Sequence, residues 1–173
     1  MSFIELAKSR RSIRSFKSDD IPDTLLMQLL EAAQAAPSAG NCQPWHFYII
    51  KNKKTITQIR EQACKQAFVA SAPVVVVVCA DIMRTKEIYK KRGVELYCLQ
   101  DTAAAIQNML LCAQELGLGA CWCGHFGEKE LSAILNLTDE IRPVAVIPIG
   151  FPKKEAVKTE RRPIEEIATF ITE

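Results

Sequence analysis

Pro37-Ser38-Ala39-Gly40-Asn41-Cys42-Gln43-Pro44-Trp45 joins two stretches of different periodicity. Before it, Leu25, Leu26, Leu29, Leu30 and Ala33 recur at helical spacing behind Asp23, which predicts an amphipathic helix with Asp23 as its cap. After it, His46-Phe47-Tyr48-Ile49-Ile50 reads as a strand. Pro37 cannot continue the helix, Gly40 and Asn41 tolerate positive φ, and Pro44 forces the chain to extend. The nine residues therefore form a stiff shelf that presents a hydroxyl, amides and backbone N–H groups. A planar ligand edge rich in nitrogen and oxygen suits such a shelf; an ordinary helix-to-strand turn draws on the same residue types.

Working outward, Val74-Val75-Val76-Val77-Val78-Cys79 predicts a strand buried on both faces. Val144–Gly150 predicts another, and Ala120–Phe126 a strand that breaks at Gly124. Helices are expected over Phe3–Ala7 behind Ser2, over 55–68, on the polar segment 81–93, over 128–135 and over 164–170. The longest runs from Val94 to Leu116, with Leu99, Ala103, Ile106, Leu110 and Ala113 on one face, and Gly117 and Gly119 end it. Within it, Thr102-Ala103-Ala104-Ala105 is small all round, which suits a close helix, a second subunit or a flat ligand. The pattern is α+β, with helices in one or two layers on a single sheet, and residues 1–173 read as one domain.

With 49% apolar and 24% charged residues the chain has a globular composition. It shows no secretory leader and no apolar run long enough for a bilayer, so the cytoplasm is the expected compartment. Seven cysteines lack a Cys-x-x-Cys pair, which argues against a disulfide framework or a zinc site. Cys121 and Cys123 share one face of their predicted strand. The net charge is +2, but residues 1–17 hold five basic groups against Glu5, and residues 151–163 hold five against Glu155 and Glu160. If the two ends meet, they form an anion site. No long basic face with interleaved aromatics points to nucleic acid.

The N-terminal basic segment is Arg10-Arg11-Ser12-Ile13-Arg14-Ser15-Phe16. Two arginines can clamp a phosphate and a serine can add a donor, while Ile13 and Phe16 anchor the segment to the core. A solvated charge run has the same composition. No Gly-x-Ser-x-Gly, no third glycine after Gly117-Leu118-Gly119 and only His46 and His125 as histidines leave little for side-chain catalysis; His46 is expected to be structural. An anion site and a polar shelf without a catalytic set suggest chemistry carried by a cofactor.

Five stretches carry a family resemblance: Arg10–Arg14, the 37–45 loop, Gln100-Asp101-Thr102-Ala103-Ala104-Ala105-Ile106-Gln107-Asn108, Gly117 through Trp122-x-Gly124, and Arg161-x-Pro163. In that order and spacing the chain resembles the FMN-dependent nitroreductase family, as a short member. The resemblance implies a three-layer α+β sandwich with a central, mainly antiparallel sheet flanked by helices. It also implies an intertwined homodimer with two FMN sites at the subunit interface. Arg10, Arg11 and Ser12 would hold the phosphate and ribityl end, Arg14 would approach the pyrimidine side, and Arg161 would close over the phosphate. Pro37, Ser38, Ala39 and Asn41 would reach the flavin from the other subunit. Gly124 and His125 would set backbone N–H groups near flavin N5.

The implied activity is a ping-pong oxidoreduction in which NADH or NADPH reduces FMN at N5 and a planar acceptor, such as a nitroaromatic or quinone, is then reduced. Catalysis would need no side-chain acid or base. A flavin-binding protein without nicotinamide turnover, or a non-catalytic dimer, are the alternatives. Two departures stand out. Thr159 occupies the place of a second tail cation, so Lys158 or Arg162 would substitute, and the short 81–93 segment leaves only a small lid. Lys86, Lys90, Lys91 and Arg92 on that segment could meet a 2′-phosphate.

Overall fold

The computed structural model describes residues 1–172. Four strands, β1 (Trp45–Ile50), β2 (Val74–Asp81), β3 (Gly119–Ala120) and β4 (Ile141–Gly150), form one antiparallel sheet in the order β1-β2-β4-β3. The valine run occupies β2 in the interior of this sheet. Its alternation sends Val74, Val76 and Val78 to one face and Val75, Val77 and Cys79 to the other, and both sets are buried. Opposite Val78 and Cys79 the register skips Val144, so β4 bulges next to Pro143, which has no N–H to give the ladder.

On the first face lie α2 (Asp23–Gln34) and α5 (Cys98–Glu115), meeting through Leu29, Ala33, Ile106 and Met109 over Ile147 and Ile149. Each of the larger side chains contributes about 1.5–3 kcal/mol by leaving water. The second face is covered by α3 (Lys53–Gln58), the π-helical turn Ile59–Cys64 that extends it, and α6 (Glu128–Leu135). Helices thus flank both faces, giving the three-layer sandwich. The remaining helices are α1 (Phe3–Ser9), closed by a Ser2–Glu5 capping box, and α4 (Ile82–Arg92), capped by the Asp81 carboxylate.

Several boundaries differ from the sequence expectations. Pro22, not Asp23, is the N-cap residue of α2, and no side chain caps it; Asp23 sits in the first turn. The helix expected over 55–68 breaks into α3, the π-turn and a 3₁₀ turn at Ala67–Ser71, because Lys65 adopts a left-handed conformation (φ 53°). The long helix begins as a π-turn, Gly93–Tyr97. The strand after Gly119 stops at Ala120 and returns only as a bridge between Cys123 and Val146. The C-terminal helix shrinks to one 3₁₀ turn, Ile164–Glu166, since Ile164, Ile167 and Phe170 are all exposed and gain no burial among the described residues. Among the described residues no helix is long and apolar enough to cross a membrane.

Candidate functional site

The segment after α1 is zipped to the sheet at two points. Ile13 N–H donates to the Ala120 carbonyl (2.9 Å) and Ser12 bridges Ala120 in parallel register. Farther on, Lys17 N–H donates to Phe151 O (2.8 Å), Lys153 N–H donates to Ser15 O (2.9 Å), and Phe16 bridges Pro152. Ile13 and Phe16 are buried, as their apolar character in a basic run predicts. Two glycines make room: a Cβ on Gly119 would stand 2.7 Å from Ile13, and one on Gly150 would stand 3.1 Å from Phe16. This pairing brings the first basic segment against the start of the last.

Arg10, Arg11, Ser12 and Arg14 then face Val157, Thr159 and Arg161 around a cleft of about 290 Å³. Burial lowers the basicity of Arg10, and the nearby Arg161 and Arg11 lower it further. Among the described residues none of the four arginines has a carboxylate within salt-bridge distance. Arg11 donates to the carbonyls of Lys8 (2.5 Å) and Arg10 (2.9 Å), and Arg161 donates to Thr159 Oγ1 (2.9 Å). Thr159 therefore braces Arg161. Lys158 lines an adjoining cleft with Arg11, whereas Arg162 is paired with Glu166. Arg14 also lies over the Phe68 ring, 5.9 Å from its centroid.

Behind the arginines is a group the sequence did not single out as part of the site. Cys64, Cys121 and Cys123 are buried together. A hydrogen bond from Cys123 lowers the Cys121 thiol to about 6 against the cost of burial, with help from Arg14, the Ser12 hydroxyl and Arg10. The neighbouring Cys121 and Cys64, together with burial, hold Cys123 as a thiol, and its S–H reaches Gln66 Oε1 at 3.8 Å. Among the described residues no cluster of His, Cys, Asp or Glu is arranged to hold a metal ion.

The 37–45 loop lies apart from the arginine cleft of its own chain, packed between α4 and α5. Gly40 (φ 55°), Asn41 (φ 55°) and Gln43 (φ 48°) are left-handed, two more positive-φ residues than glycine alone accounts for. Ser38 Oγ accepts Gln43 N–H (2.9 Å), and the Ala39 N–H donates to Asp101 Oδ1 (3.1 Å). A Cβ on Gly40 would meet the Tyr89 hydroxyl at 2.6 Å, and Tyr89 packs edge-on against Tyr97. Pro37 and Asn41 are exposed at the loop's rim. Gly124 and His125 lie in the open stretch past Cys123, both exposed; a Cβ on Gly124 would touch only Trp122. None of these residues lines the arginine cleft of its own chain. His46 is exposed on β1 beside Tyr48, not in the core.

A match to the Nitroreductase family spans residues 7–67 and 58–151, including the first basic segment, the shelf loop and all four strands. The chain belongs to the nitroreductase family. A Methanothermobacter thermautotrophicus relative, provisionally named NADH dehydrogenase/NAD(P)H nitroreductase, is 35% identical over 88% of this chain and 78% of its own length. A Bacillus subtilis protein named FMN reductase [NAD(P)H] is 29% identical over 95% of this chain and 71% of its length. The crystal structure of a nitroreductase family protein from Clostridium difficile superposes with a TM-score of 0.85 at 29% identity, covering 99% of each chain. These likenesses fix the family and the fold of this member.

Proposed function

We propose that this nitroreductase family member is an FMN-dependent oxidoreductase that takes its electrons from NADH or NADPH. The observation that carries the reading is the gathering of Arg10, Arg11, Arg14 and Arg161 around one cleft with no carboxylate partner among the described residues. Like charges are brought together at a cost unless an anion joins them, and a phosphate monoester matches guanidinium forks with several N–H···O bonds. Arg10, Arg11, Ser12 and Arg161 would hold the phosphate and ribityl end, and Arg14 would bring positive charge to the pyrimidine side. FMN, when bound, supplies hydride exchange with the nicotinamide and then with a planar nitroaromatic or quinone acceptor, in ping-pong order.

The site is completed in a homodimer. The 37–45 loop, with Pro37, Ser38, Ala39 and Asn41, stands away from its own arginines and serves the flavin of the second copy. The same assembly would cover Ile164, Ile167 and Phe170 of the tail, which are exposed in the single chain. Gly124 and His125, exposed past Cys123, would offer backbone N–H groups to the bound flavin.

The experiment is an FMN titration of the purified chain followed by anaerobic stopped-flow mixing with NADH and with NADPH. Rapid loss of the flavin's visible absorbance with at least one nucleotide, and parallel lines in double-reciprocal plots with a quinone, are expected. Bound FMN that neither nucleotide bleaches would reduce the protein to a flavin binder.

A further inference from the structure

Asp101 opens a second question about the shelf. It sits in the first turn of α5, is only 7% exposed, and accepts the Ala39 N–H through Oδ1 at 3.1 Å. Its other oxygen, Oδ2, is buried with no hydrogen-bond partner, and no cation pairs with the carboxylate among the described residues. A buried carboxylate that receives one N–H costs the fold more than that bond returns, so stability does not account for it. What the carboxylate does hold is the shelf.

The loop it touches is conformationally expensive. Three of the four residues Gly40–Gln43 are left-handed; Gly40 and Asn41 tolerate this, but for Gln43 it costs roughly 1–2 kcal/mol. Local bonds tie the loop to itself: Asn41 N–H to Ser38 O, Cys42 N–H to Ala39 O, and Gln43 N–H to Ser38 Oγ. Side-chain ties from outside are the Asp101 bond to Ala39 and a longer one from Arg84 to Cys42 O, at 3.4 Å. Tyr89 meets the loop by contact at Gly40.

We infer that Asp101 is a positioning residue: it pins the Ala39 amide and so holds Ser38 and Asn41 at the height at which the shelf receives the flavin rings. The inference rests on the functional reading above and deepens it. Asp101 acts through the loop and touches no reacting atom. It lowers the ordering cost of binding by fixing the loop beforehand.

Two full-length variants test it. Asp101→Leu keeps the branched shape, with larger methyls in place of the oxygens, and removes the acceptor; Asp101→Asn keeps an oxygen for the Ala39 N–H. In the flavin-free chain, amide exchange over residues 39–43 should speed up roughly 10-fold in Asp101→Leu and return to within about twofold of the parent in Asp101→Asn. FMN affinity should fall roughly 10-fold in the leucine variant and recover in the asparagine variant, with the melting temperature of Asp101→Leu unchanged or higher. Unaltered loop exchange in Asp101→Leu overturns the inference, as does parallel loss of melting temperature and FMN. If the leucine variant does not fold, Asp101→Asn decides, since loop exchange well above the parent's also refutes it. A parent chain that takes up no FMN defeats the flavin reading instead, and the exchange data still judge the pinning.

Discussion

Arg161, from the final segment, stands near enough to Arg10, from the first, to lower its basicity. Two cations in that relation lack a reason to be close until an anion lies between them. Each should give FMN one charge-assisted contact of about 1.5–3 kcal/mol, or 10-fold or more in affinity. The double variant Arg10→Ala/Arg161→Ala should therefore bind FMN at least 100-fold more weakly by fluorescence quenching, with a shallower salt dependence. Unchanged affinity would place the phosphate elsewhere.

Ile13 fills the space that a side chain at Gly119 would need. Gly119→Ala should push the arginine segment off the sheet, costing about 1–3 kcal/mol in urea unfolding. FMN affinity should fall with it, because Ser12 and Ile13 share the anchor at Ala120. A variant of parental stability would show that the segment can slide without penalty.

Gly40 is left-handed and meets the Tyr89 hydroxyl. Gly40→Ala should cost about 1–2 kcal/mol from the backbone alone and more from the clash. The extra part should shrink in a Tyr89→Phe background, where the hydroxyl is gone, so a double-mutant cycle separates the two. Equal costs in both backgrounds would mean that Tyr89 yields freely.

Cys121 is held near pKa 6 by Cys123 and assisted by Arg14 and Arg10. Its thiolate absorbance in the ultraviolet should rise as pH passes through about 6 in the flavin-free chain. The depressed value means that its charged form stabilises the fold above the unfolded thiol's range, a contribution that fades as pH falls through 6. Inorganic phosphate or FMN neutralises the arginines and should move the titration upward. A midpoint indifferent to phosphate would separate the thiol from the cleft.

Arg142 donates two hydrogen bonds to Glu128, at 2.9 and 3.0 Å, tying α6 to β4, and they depress the Glu128 pKa. Both side chains are about half exposed, so Glu128→Gln should cost no more than about 1 kcal/mol. The difference between parent and variant should be full at neutral pH and vanish as pH falls below the ordinary carboxylate range, which urea unfolding at several pH values would reveal.

The sheet was legible where one signal dominates: the valine run could only be an interior strand, and Gly117 and Gly119 mark the end of α5 as expected. Boundaries failed where tertiary contacts overrule local pattern. Lys65 turns left-handed without a glycine to announce it, and Trp122 is exposed between two buried cysteines, of which Cys121 gives β4 one backbone bond and Cys123 exchanges a pair with Val146. The arginine cleft was foreseeable from charge crowded at both ends. The pin between Asp101 and Ala39 was not, because it joins residues far apart in sequence and neither residue type demands the other.

By Gly150 all four strands and both packed faces have been synthesised, yet Arg161 is still to come. If Arg161 closes the cofactor site as proposed, cofactor capture is a late event in the life of each molecule, after the sheet's own sequence is complete. Proteolytic trimming beyond Pro152 should then release the prosthetic group while leaving a folded body behind.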